Sequence, residues 1–161
     1  MPEALVVYFS RTGYTRKIAE ELAGRCNADL EAVEDVRPRG GLFGYLRSGR
    51  EAYRRELIEI RPTVRNPSAY DLVILGTPVW AGHVSSPIRA YLAAHGRTLK
   101  RVALFCTQGG SGAEKVLAEM AGLCGQKPLA SLALNDREID GGGYADKLGE
   151  FLRALTFRKA A

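Results

Sequence analysis

Cysteine and histidine are scarce in this chain. Its 161 residues hold three cysteines, Cys26, Cys106 and Cys124, and two histidines, His83 and His95. They are widely spaced and no C-x-x-C pair occurs, so neither a zinc site nor a disulfide framework is expected. The thiols read as free, small and buried. Long apolar runs are missing too. None approaches the ~20 residues of a membrane helix, so no membrane insertion is expected. The opening MPEALVV has no basic stretch before its apolar part, which does not fit a secretion signal and makes a cytoplasmic location the expectation. Two phosphate-binding signatures are lacking. There is no G-x-x-x-x-G-K-[ST], and no G-x-G-x-x-G follows the first apolar run, so neither a nucleoside triphosphate loop nor a Rossmann-type NAD loop is supported. No repeat, linker or low-complexity tract divides the chain, and 1–161 reads as a single domain.

Charge is present but uneven. Residues 37–65 carry eight arginines against three glutamates, a net +5. Residues 1–36 carry four basic and seven acidic side chains, a net −3, and the remainder carries eleven against eight, a net +3. The basic character therefore sits mainly in one arginine-rich stretch. It suits an acidic partner or an anionic ligand better than nucleic acid, for which no reading motif is present.

Apolar runs rich in β-formers stand at 4–9, 29–34, 71–76, 101–106 and 128–134. The first, third and fourth are nearly continuous, as strands covered on both faces are. Helical spacing appears between them. Ile18, Leu22 and Cys26 with Ala19 and Ala23 mark one face, and Leu42, Leu46, Tyr53 and Leu57 a second. The run after Pro87 stops at Gly96, read as a C′ glycine, with Ser85–Pro87 as its cap and first turn. Val116, Leu117, Met120 and Cys124 mark a fourth face, and Tyr144, Leu148, Phe151, Leu152 and Leu155 a fifth. Five β-α units in succession predict an α/β domain with a parallel sheet between helix layers. Sheets of that kind bind ligands beyond the carboxyl ends of their strands. SRTGYT, TPVWAGHVSSP and TQGGSG follow the first, third and fourth strands.

SRTGYT places Ser10, Thr12 and Thr15 around Gly13 where a strand turns into a helix. Helix N-termini leave N–H groups unpaired and carry partial positive charge. Glycine and small hydroxyls there suit a compact phosphate held by neutral donors. Arg16 and Lys17 stand in that first turn, against the helix dipole, and a bound dianion would reverse the sign of that interaction.

This S-x-T-G-x-T after an N-terminal strand resembles the phosphate loop of the flavodoxin family, and the five β-α units extend the resemblance over nearly the whole chain. The resemblance implies a flavodoxin-like three-layer sandwich with a five-stranded parallel sheet of order 2-1-3-4-5 and FMN as cofactor. Carried onto this sequence, it implies that Ser10, Arg11, Thr12, Gly13, Tyr14 and Thr15 hold the phosphate. Thr77, Pro78, Val79, Trp80, Ala81 and Gly82 would lie along the isoalloxazine with Trp80 stacked on it, and Thr107, Gln108, Gly109 and Gly110 would meet its pyrimidine end. No catalytic residue and no metal ligand is assigned. Ala81 stands where the family uses a glycine for a peptide flip that stabilises the one-electron flavin radical, which weighs toward two-electron chemistry. The third loop lacks the family's second aromatic, and Tyr144 is a candidate to fill that place. His83 is a candidate hydrogen-bond partner of flavin or substrate. Cys106, with no basic neighbour in sequence, is not a candidate thiolate. The implied function is electron transfer from a reduced donor to a protein acceptor. The alternatives are an NAD(P)H-dependent FMN reductase acting on a quinone or other small acceptor, and a flavin-free binding module on the same fold. A redox partner or NAD(P)H would dock at residues 37–65, and the chain is expected to be a monomer or weak dimer.

Overall fold

The computed structural model describes residues 3–37, 40–55 and 57–160, those from 156 onward by backbone. Pro38, Arg39 and Glu56 of the arginine-rich stretch lie outside the described residues. Strands β1 (Ala4–Tyr8), β2 (Asp29–Ala32), β3 (Leu72–Trp80), β5 (Val102–Gln108) and β6 (Ser131–Asn135) form a parallel sheet ordered β2-β1-β3-β5-β6. Among these five strands the order is the expected 2-1-3-4-5. The addition is β4 (His83–Val84), a two-residue strand that turns back antiparallel on the end of β3. The helices are α1 (Tyr14–Cys26), α2 (Gly41–Arg54), α3 (Ser86–His95), α4 (Ala113–Cys124), α5 (Asp136–Gly141) and α6 (Ala145–Ala160).

Period-2 alternation splits each strand between two cores. Leu5, Val7, Val73, Leu75, Val102 and Leu104 pack with Ile88, Tyr91 and Leu92 of α3 and Val116 and Met120 of α4. Val6, Ile74, Ala103, Phe105 and Leu134 pack with Ile18 and Leu22 of α1 and Leu148 and Phe151 of α6. That is why the central strands read as unbroken apolar runs. Burying each such Leu, Ile or Phe contributes about 1.5–3 kcal/mol.

Two sequence readings are corrected. Leu42, Leu46, Tyr53 and Leu57 do not form an inward face; they are 57–72% exposed. The side of α2 that packs inward is Gly44, Ser48, Glu51 and Ala52. Gly44, Ser48 and Ala52 recur at i, i+4 and i+8, and this small-residue row lets the helix approach closely. The Ser48 hydroxyl donates to the Gly44 carbonyl at 2.7 Å. Arg47 reaches Glu51 at 3.6 Å and Asp35 at 3.5 Å, which fixes the helix rotation by charge. The second correction is Gly96. α3 ends before it, but Gly96 has φ −52° and continues into a 3-10 turn. A Cβ there would stand 2.6 Å from the Leu123 carbonyl oxygen, so this glycine is needed for the approach of the end of α4.

Gly76, in the middle of β3, serves packing in the same way. A Cβ on it would fall 2.0 Å from the ring of Phe105, which is fully buried on the neighbouring strand. Gly76→Ala should therefore cost about 1–3 kcal/mol of unfolding free energy through overpacking. Phe105→Leu in the same chain should recover part of that loss, a non-additivity read from urea titrations of the two single variants and the double variant.

Candidate functional site

Strand order reverses between β1 and β3, and α1 and α3 leave toward opposite faces of the sheet. β3 continues past the end of β1: Tyr8 is paired with Gly76, while Thr77 and Pro78 pair only with β5. A cavity of about 600 Å³ opens at this carboxyl edge.

Three loops meet there. Arg11, Thr12, Tyr14 and Thr15 of the first, Pro78–Ala81 of the second and Thr107–Gly110 of the third line the cavity. Four other predicted site residues stand behind it. The Ser10 hydroxyl accepts the Gly13 N–H at 3.0 Å and shapes the loop from within. Gly13 has φ 101° and is the N-cap of α1, with no side chain capping the helix; neither Thr12 nor Thr15 does so. Thr77 is fully buried and its hydroxyl bonds to Ser85 Oγ at 2.8 Å, so the Ser85 side chain serves the strand rather than capping α3. Gly82 is the fourth. Thr15 Oγ1 and Thr107 Oγ1 lie 2.8 Å apart and buried, tying the first loop to the third. Arg16 pairs with Glu20 at 2.8 Å, and Lys17 reaches the Ile139 carbonyl at 3.5 Å.

Trp80 is 8% exposed, lines the cavity, and packs edge-on against Phe9 with ring centres 5.2 Å apart. After it, Ala81 (φ 48°) and Gly82 (φ 75°) form a two-residue hairpin turn with both central residues left-handed. Such turns match strand twist and usually hold Asn-Gly or Gly-Gly. Here an exposed alanine occupies the strained position. Gly112 of the third loop supports the turn from below, because a Cβ on it would come within 3.2 Å of Gly82 Cα.

Several features have no signal in the sequence. Besides Trp80 and Tyr14, the cavity is lined by Tyr45 of α2, and Tyr144 does not reach it. Tyr144 is buried against the α1–α6 side, where its hydroxyl donates to Glu21 at 2.8 Å. Leu46, Gly49 and Arg50 extend the α2 wall, and Asp136 closes the far side. The Arg11 guanidinium sits 5.1 Å from the Tyr45 ring centre. Burial, and after it the neighbouring Asp140, push the Asp136 carboxyl above its ordinary range.

His83 points away from the cavity. It is 5% exposed, and its Nδ1–H donates to Glu119 Oε2 at 3.1 Å. Glu119 Oε1 also accepts the Val84 N–H at 3.0 Å and the buried Arg89 guanidinium. Burial alone would raise the Glu119 carboxyl, but the Val84 N–H, the His83 ring and Arg89 outweigh it and hold it below its usual range. Cys106 is fully buried and its thiol is pushed up to about 12, so it is no thiolate at neutral pH.

A doubly wound sheet with a three-loop cavity at its switch point is the architecture in which α/β proteins place their ligand sites. A family model described as Flavodoxin matches residues 3–138, and the chain belongs to the flavodoxin family. Among solved structures, it is similar to a flavoprotein in complex with FMN from Lactobacillus acidophilus, at 23% identity and TM-score 0.70 over 88% of this chain and 98% of that one. It is also similar to the two-electron reduced flavodoxin of Megasphaera elsdenii, at 20% identity and TM-score 0.50 over 81% and 85% of the two chains. An NADH:FMN oxidoreductase in its apo form matches at 16% identity and TM-score 0.55 over 96% and 87%. At these identities the solved structures show the fold. No protein with a curated description matches the sequence significantly.

The strain at Ala81 is measurable. Ala81→Gly trades a left-handed strain of about 1–2 kcal/mol for a glycine entropy cost of about 0.5–1 kcal/mol. The expected result in urea unfolding is equal or slightly higher stability. Ala81→Val, β-branched at the same exposed position, should lower stability by about 1–2 kcal/mol.

Proposed function

We propose that the chain binds FMN in the switch-point cavity and works as a flavodoxin-like redox protein, passing electrons between a reduced donor and a protein acceptor. The observation that carries this reading is the convergence of the three loops with the uncapped start of α1 on one cavity of about 600 Å³. Cofactor pockets run from about 300 to 1,000 Å³. The residues fit the group. The N–H groups of the first α1 turn and the Thr12 hydroxyl would hold the phosphate, where the helix dipole favours a dianion. Trp80 and Tyr45 offer aromatic faces to a flat ring. The backbone of Thr107–Gly110 supplies polar groups for its pyrimidine end. When bound, FMN supplies the redox chemistry, and the chain's part is to bind it, orient it and exclude water.

The partner reading rests on α2. Phe43 (87% exposed), Tyr53 (72%) and Leu42 (70%) stand on the surface of a helix that also walls the cavity. Of the nearby arginines, Arg61 pairs with Glu34 and Arg65 with Asp29. Arg50 has no ion pair among the described residues. An apolar surface with an unpaired arginine at the cavity mouth suits an acidic protein partner.

A second reading, an FMN reductase fed by NAD(P)H, is favoured by Arg11 and Arg50, which stand at the cavity without ion pairs among the described residues, and by a third loop with no aromatic over the ring. Anaerobic addition of NADPH to FMN-loaded protein separates the readings. The carrier keeps its oxidised flavin spectrum until a protein donor is added, whereas rapid bleaching by NADPH alone makes the chain a reductase. A chain that takes up no FMN is the flavin-free module. Gly13→Ala tests the phosphate loop. Its Cβ meets nothing within 4 Å, so only the φ of 101° is at stake. Holding alanine at that φ costs about 1–2 kcal/mol; with the loop relaxing when empty and re-formed by the phosphate, the expected loss is roughly ten-fold in FMN affinity, measured by quenching of flavin fluorescence.

A further inference from the structure

We propose that Glu119 of α4 is a positioning residue for the cofactor-facing turn Trp80–His83, setting the turn's place behind the ring without touching the cavity. The inference rests on the FMN reading above.

The turn has little to hold it by itself. β4 is two residues long, joined to β3 by the pairs Val79↔Val84 and Trp80↔His83. A ladder of that length is marginal alone, and Ala81 adds strain. The support comes from one face of α4. Gly112 caps that helix and packs under Gly82. Glu119 stands seven residues on, two turns along the same face. There its two carboxylate oxygens collect the Val84 N–H, the His83 ring and the Arg89 guanidinium. One side chain thereby fixes the second strand of the hairpin, the rotamer of His83 and the start of α3. Arg55, at the end of α2, approaches the same carboxylate at 3.9 Å. The Tyr53 ring packs edge-on to His83 at 6.2 Å. The turn that backs Trp80 is therefore registered against α2, α3 and α4 through a single carboxylate. Without it, the Val84 N–H and a buried guanidinium whose Nε already has no partner would both be left unpaired.

A purely structural role, neutralising Arg89, would lower stability and leave the flavin untouched. The experiment separates the two. Glu119→Gln keeps an acceptor for Val84 but loses the charge. Lys100→Ala, at an exposed pair with Asp71 by the amino ends of the strands, is the control. FMN dissociation constants and the two one-electron midpoint potentials are measured on FMN-loaded protein, with urea unfolding of the apo chain beside them. Glu119→Gln is expected to weaken FMN by about ten-fold, the loss that corresponds to one hydrogen bond to a charged group. It is also expected to change the separation of the two potentials, while Lys100→Ala changes neither. If apo stability falls while affinity and potentials stay at wild-type values, the proposal is overturned. Should Glu119→Gln fail to fold, His83→Gln decides. It retains the Glu119 bonds to Val84 and Arg89, and unchanged potentials in it overturn the proposal equally. Wild-type protein that takes up no FMN fails the FMN reading, and this inference with it. Wild-type protein that loads, beside variants that match it, fails this inference alone.

Discussion

The reversal of strand order between β1 and β3 is the constraint on which the rest of the molecule depends. A strand between two parallel neighbours has both edges occupied, and a helix laid across each face closes its ends. Only where consecutive connections leave toward opposite faces do the carboxyl ends open a crevice. In this chain β3 and β5 outrun β1, so the crevice has a back wall of paired strand, Thr77–Cys106 and Pro78–Thr107. The front wall is the start of α1. The Thr15–Thr107 hydroxyl contact, buried where the loops meet, ties front to back and leaves the outward backbone of both loops to a ligand.

How much of this could be read from the chain follows from how local each feature is. SRTGYT announces itself because one short segment contains strand end, turn and helix start, and the reasons for Gly13 lie within a few residues of it. The parallel strands are equally visible, since burial on both faces leaves no polar position in stretches such as residues 5–7 or 102–106. The illegible features depend on partners distant in sequence. Gly76 is a glycine because Phe105 lies across from it, and nothing near Gly76 says so. Tyr45 reaches the cavity because α2 leans over it, while Tyr144, which its neighbouring glycines make look like a loop aromatic, belongs to the opposite core. His83 resembles a ligand contact because it is a lone histidine in a loop. Its partner Glu119 lies on another helix, and no spacing rule connects the two.

α2 shows why apolar pattern alone misjudges a helix. Both sides of it carry something a core could take: large apolar groups on one, and Gly44, Ser48 and Ala52 on the other. The small row wins because Asp35, Arg47 and Glu51 bring their charges into contact only when that side faces in. Glu51 is 2% exposed, and a carboxylate at that depth is tolerable only with a cation beside it. The rotation that satisfies Glu51 also turns Leu42, Phe43, Leu46 and Tyr53 out to solvent.

That exchange bears on the proposed function. Turning the large side chains inward would gain apolar burial and lose the Asp35–Arg47–Glu51 contacts, so the isolated chain trades part of its hydrophobic stabilisation for this arrangement. Apolar side chains held outward in a group are uncommon on a monomer surface and mark contact surfaces where they occur. The same rotation leaves Tyr45, Leu46 and Arg50 at the rim of the cavity, so the exposed apolar surface of α2 continues into the cavity wall. A partner that covered Phe43 and Tyr53 would thus contact the helix that walls the proposed flavin site. Under the carrier reading such contact would bring an acceptor near the flavin, and direct electron transfer requires closeness of the redox groups.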